Sequence, residues 1–78
     1  MKAVKLTISG KVQGVGYRRW FAQYVVALGL KGYVQNLDSG AVEALLFGDD
    51  GMVAELVNLA KVGPTHALVA DVVIIELA

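Results

Sequence analysis

The sequence predicts an α+β sandwich, an antiparallel sheet with two helices packed on one face. Two observations carry that prediction. Strand-like and helix-like periodicities follow one another in the order strand, helix, strand, strand, helix, strand. Glycine-containing turn signals separate them, and no repeat, linker or low-complexity segment interrupts residues 1–78, which read as a single domain.

Each element has its own signal. In the first strand, Lys2 to Ser9, Val4, Leu6 and Ile8 alternate with Lys5, Thr7 and Ser9, the period of a half-buried strand. The first helix opens after a glycine-rich turn and runs to about Leu28. Phe21, Val25 and Leu28 recur at helical spacing to face the sheet, Trp20 and Tyr24 lie beside them, and Gly29 is a natural stop. Residues 31–36 and 41–47 form two strands joined by Asp38, Ser39 and Gly40, a strong hairpin signal. Asp49 or Asp50 caps a second helix with Val53, Leu56, Val57 and Ala60 on its apolar face, and Gly63 and Pro64 end it. Residues 67–76 make a last apolar strand. This order suits the ferredoxin-like βαββαβ arrangement.

Composition excludes more than it assigns. The formal net charge is zero, which removes the electrostatic footprint of a nucleic-acid binder. There is no cysteine, so disulfides and thiolate chemistry are absent. No apolar run has the length to span a bilayer, and the N-terminus lacks the apolar run of a signal peptide. A cytoplasmic location without membrane partners is the default expectation. Apolar residues nonetheless make up 56% of this small chain, and that surplus has to go somewhere.

The segment VQGVGYR, residues 12–18, joins a strand to a helix. At such a junction free backbone N–H groups converge and the helix dipole favours an anion. Gly14 and Gly16 can take positive φ and admit a close ligand, and Arg18 adds a planar fork of donors suited to phosphate. Residues Gln13, Gly14, Val15, Gly16, Tyr17 and Arg18 thus read as a phosphate cradle, with the backbone amides of 13–18 as its floor. A P-loop would need Gly-Lys-Ser/Thr, whereas Gly16 precedes Tyr17 and Arg18; a dinucleotide fingerprint would need a third glycine where Arg19 stands. On glycine spacing alone, a strain-relieving turn is as good a reading. The adjacent arginine tilts the balance toward an anion.

The whole segment GKVQGVGYR resembles the signature of the acylphosphatase family. The resemblance continues through LGLKGYVQNLDSGAVEA, residues 28–44, and through Gly63-Pro64 with Ala67, Val69 and Val72. It implies a small α/β sandwich that hydrolyses acyl phosphates with neither metal nor cofactor. The family's phosphate-binding arginine falls on Arg18 and its water-positioning asparagine on Asn36. Read by itself, Asn36 at a strand end before a turn has a local role; the resemblance reverses that reading. The acyl phosphate brings a good leaving group, so holding the phosphoryl group and placing water in line suffice. Neither Arg18 nor Asn36 titrates near neutral pH, which predicts a broad pH–rate profile.

Other residues read as structural. His66 is the only histidine and a loop residue, Asp49 and Asp50 belong to a helix N-terminus, and Trp20, Phe21 and Tyr24 pack. Arg19 is expected to point away from the cradle, Lys11 to be a surface lysine and Glu43 an exposed strand residue. The chain departs from the family in ending at Ala78, short of a further strand, in carrying Gln35 where a basic residue is frequent, and in its weakly charged helices. An apolar edge near Val73, Ile74 and Ile75 makes a homo-oligomer an expectation. The competing functional class is a non-catalytic ferredoxin-like module that binds phosphate or a phosphorylated metabolite, or acts as an interaction domain.

Overall fold

The computed structural model describes residues 1–77 and has the expected element order. Strand β1 (Lys2–Lys11) leads to helix α1 (Tyr17–Ala27), strands β2 (Lys31–Asn36) and β3 (Val42–Gly48), helix α2 (Asp50–Ala60) and strand β4 (Leu68–Glu76). The strands form one antiparallel sheet in the order β2-β3-β1-β4. β1 and β3 are therefore central, with Leu6 opposite both Ala44 and Ile74.

Alternation decides which face is covered. Val4, Leu6 and Ile8 of β1 and Val42, Ala44 and Leu46 of β3 are all at most 1% exposed, meeting Phe21 of α1 and Val53, Leu56 and Ala60 of α2. Burying side chains of this size stabilises by about 1.5–3 kcal/mol each, so Leu6→Ala is expected to cost about 2–5 kcal/mol. The intervening residues of the central strands face the uncovered side.

Helix α1 turns differently from the simplest reading of its periodicity. Val25 and Leu28 are only half-buried, whereas Tyr17 is 1% exposed and stacks near Phe21, ring centroids 6.2 Å apart. The Tyr17 hydroxyl donates to the Ala60 carbonyl at 2.6 Å, supplying a partner for one of the orphan acceptors at the C-terminus of α2. One phenol thus joins the start of α1 to the end of α2. The apolar surplus lies largely outside: Val26, Val62 and Leu68 are exposed, and so are Val73, Ile74 and Ile75 of the edge strand β4.

β1 runs two residues beyond the predicted Ser9 and carries the chain directly to the glycine-rich turn. Its register against β4 shifts between Ser9 and Gly10. A Cβ at Gly10 would meet the Leu68 carbonyl oxygen at 2.2 Å, so this bulge tolerates only glycine without backbone movement.

Candidate active site

The turn between β1 and α1 alternates in backbone sign. Gly14 and Gly16 have φ of 74° and 79°, while no non-glycine residue among those described has positive φ. Alternation of this kind is how backbone N–H groups are turned toward one centre in an anion-binding nest. A Cβ at either glycine would meet nothing within 4 Å, so what demands glycine here is the conformation, and the space above it is open.

α1 begins without the usual closure. Its N-cap is Gly16 in the left-handed region, no side chain caps it, and its first turn contains no acidic residue. The Trp20 N–H reaches the Gly16 carbonyl at 3.0 Å, which leaves the amides of Tyr17, Arg18 and Arg19 at the open helix end without intrahelical acceptors. Arg18 and Arg19 occupy this positive end, both exposed, and no carboxylate lies within 4 Å of either among the described residues. Two cations at a helix N-terminus oppose the macrodipole. An anion bound there reverses the sign of that interaction.

Asn36 closes the other side. It is the last residue of β2, opposite Val42, and it lines the same concavity of about 180 Å³ as Gly14, Gly16, Arg18 and Arg19. That volume is below the usual range for drug-sized ligands and suits a small anion. The juxtaposition has a specific tie. Gln13 Nε2 donates to the carbonyls of Leu37 at 2.8 Å and Ala41 at 2.9 Å, the two ends of the turn after Asn36. The turn itself is closed by Leu37 N–H to the Ala41 carbonyl at 2.8 Å and Gly40 N–H to the Leu37 carbonyl at 3.1 Å. Gln13 therefore fastens the cradle to the segment that carries Asn36.

Of the predicted site residues, the structure brings Gly14, Gly16, Arg18 and Asn36 together around one concavity, with Val15 between the two glycines. Tyr17 and Gln13 contribute differently. The Tyr17 phenol is spent in the core, where burial pushes its pKa up, and the Gln13 amide is spent on the turn. Only their backbone N–H groups remain for a ligand. Sequence periodicity missed the Gln13 tie, because its partners are carbonyls 24 and 28 residues away.

Arg19 is exposed, as expected of a solvated arginine, and it also contributes to the lining beside Arg18. One expectation is corrected here. Glu43 is not a free surface group. Its side chain is 13% exposed and accepts from Gln35 Nε2 at 2.6 Å, Lys5 Nζ at 3.2 Å and the Tyr33 hydroxyl at 3.4 Å. The Gln35 hydrogen bond, then Lys5, holds its carboxyl below the usual glutamate value. Gln35, which stands where a basic residue is frequent, thus donates to Glu43 on the uncovered sheet face.

The acylphosphatase family profile matches residues 4–78. The chain belongs to the acylphosphatase family. It is 44% identical over 77 residues to an acylphosphatase of Methanocella arvoryzae, covering 99% of this chain and 88% of that protein. It is 46% identical over 74 residues to one of Methanothrix thermoacetophila, covering 95% and 82% of the two chains. The crystal structure of acylphosphatase from Bacillus subtilis superposes with a TM-score of 0.96 at 31% identity, over 99% of this chain and 86% of that one. Membership makes the chain a hydrolase in class, with the ferredoxin-like fold of its relatives.

Proposed function

We propose that this acylphosphatase-family chain hydrolyses acyl phosphates to a carboxylate and inorganic phosphate, without a metal, at the concavity between the α1 N-terminus and the end of β2. The observation that carries the reading is the open helix end: a glycine nest, an uncapped dipole and Arg18 converge where Asn36 closes the rim. In this reading the amides of residues 13–18 and the Arg18 guanidinium take the phosphoryl oxygens. The backbone amides are fixed by the turn before substrate arrives, so they need little reorganisation as charge builds on those oxygens.

The chemistry asks for little more. A carboxylate leaves without strong acid assistance, and the attacking water needs direction more than deprotonation in a loose phosphoryl-transfer transition state. The Asn36 side-chain amide both donates and accepts, so it can hold water in line with the bond that breaks. Among the described residues no group of three His, Cys, Asp or Glu side chains could hold a metal ion. In this reading the groups on this site stabilise charge and position water; none of them has to change protonation.

Phosphate release from acetyl phosphate, measured in excess chelator, tests the reading. Wild type is expected to turn over, and Arg18→Ala to lose at least about 10³-fold in kcat/KM. A folded wild type that binds phosphate but releases none from acetyl phosphate would instead support the non-catalytic module. Among the described residues no helix is long and apolar enough to cross a membrane. A cytoplasmic location is proposed with this activity, and fractionation of the source cells tests it. The exposed apolar residues of edge strand β4 support pairing with a second copy; sedimentation showing monomer alone at micromolar concentration would remove that expectation.

A further inference from the structure

The sheet face away from the helices has a composition that water alone does not explain. In an antiparallel sheet packed on one side, the outward residues are expected to be polar. β1 obeys, with Lys5, Thr7 and Ser9 outward. β3 and β4 do not, since Leu45, Phe47, Val73 and Ile75 occupy outward positions. The register sets these residues side by side. Tyr33, Leu45, Lys5 and Ile75 form one row across the four strands, and Phe47 lies between Lys31 and Ala3 in the row beside it. Tyr33, Phe47, Val73 and Ile75 are each 42–49% exposed, so this apolar area is not spent within the monomer.

The polar groups of the face are already settled. Glu43 accepts from Lys5, Gln35 and Tyr33, so its charge is paired before anything covers it. Covering a paired charge avoids the costly outcome, a lone buried ion. Lys31 and Asp71, one of each sign, stand at opposite corners, and the face as a whole carries no net charge. The whole chain is neutral too, a condition that promotes self-association. A strongly charged partner finds no complement here.

We infer that this uncovered face is a self-association surface, on which a second copy of the chain stacks face to face. Four strands about 4.8 Å apart, averaging about eight residues, span roughly 19 by 26 Å, or about 500 Å². Two copies then bury about 1,000 Å², the threshold of a specific interface and the mark of a weak, concentration-dependent dimer. A two-fold axis along the strands sets Tyr33 over Ile75 of the other copy. It also keeps Lys5 and Glu43 from facing their own twins, because they lie on opposite sides of that axis. The stack differs from pairing along the β4 edge, since it uses the central strand β3, which no edge contact reaches. Phe47 lies at the end of the sheet where β1 begins, whereas the cradle follows the end where β1 finishes. The active site therefore stays open in the dimer, and the inference stands apart from the hydrolase reading.

Sedimentation velocity from about 1 µM to about 1 mM tests the surface. Wild type is expected to show a reversible monomer–dimer equilibrium. Phe47→Lys, at an exposed position on a central strand, should raise the dissociation constant at least about 30-fold. Ile74→Lys, on the helix side of β4, should leave it unchanged. Both variants should hydrolyse acetyl phosphate as wild type does. If Phe47→Lys does not fold, Tyr33→Lys, on the edge strand opposite β4, makes the same distinction. A wild type that stays monomeric throughout overturns the inference and leaves the face to a different protein. A dimer that survives Phe47→Lys, or that Ile74→Lys disrupts, overturns it in favour of the β4 edge. A dimer that behaves as expected in a wild type inert toward acetyl phosphate would uphold the surface and overturn the hydrolase reading alone.

Discussion

The two helices of this protein begin in opposite ways. α2 is finished: Asp49 accepts from the Met52 N–H at 3.1 Å, and Asp50 adds an acidic side chain to the first turn. α1 is left open, with a left-handed glycine at its N-cap, no side-chain cap, no acid and two arginines. Both helices have the same length and pack on the same sheet face, so the contrast is not imposed by the fold. A helix start that satisfies itself serves stability. One that leaves its amides free and surrounds them with cations is complete only when an anion arrives.

The largest way to break that contrast is Arg18→Ala. Besides the kinetic loss, inorganic phosphate should raise the Tm of wild type and fail to raise that of the variant, because a ligand that binds only the folded state stabilises it. Equal phosphate stabilisation of both proteins would mean that the nest suffices without the guanidinium. Gln13→Ala comes next. It unfastens the cradle from the turn after Asn36, and a misplacement of about 1 Å lowers kcat by up to about 100-fold. The lost hydrogen bonds also cost about 1–2 kcal/mol in denaturant unfolding. A variant with reduced stability and wild-type kcat would show that the tie is structural alone.

Asp49→Ala probes the finished helix. The expected cost is about 1 kcal/mol of unfolding free energy, read by urea titration, with phosphate binding retained. The smallest effect concerns Glu43. Its carboxyl is held below the ordinary value by Gln35 and Lys5, so its stabilising contribution is present above the unfolded glutamate pKa and lost as pH falls through the folded one. Glu43→Gln should flatten the acid limb of the stability–pH curve below about pH 4.3 without moving the activity profile near neutrality. An unchanged acid limb would remove Glu43 from the list of acid-sensitive groups.

How much of this was legible in the sequence follows from the range of each signal. Element order, the hairpin and the α2 cap rest on short-range patterns, and the structure has them within a residue or two. Arg18 and Asn36 could be paired because a family resemblance supplied the long-range relation that spacing lacks. The Gln13 tie, the inward Tyr17 and the commitment of Gln35 to Glu43 were not legible, since each depends on a partner brought close only by folding.

The division of labour between the open helix end and the strand end is the central claim, and Asn36→Ala measures it most directly. In acetyl phosphate hydrolysis with inorganic phosphate as competitive inhibitor, the variant is expected to lose about 10²- to 10³-fold in kcat while the phosphate inhibition constant stays within about twofold of wild type. Wild-type kcat in Asn36→Ala, or a loss of phosphate affinity as large as the loss of turnover, would contradict it.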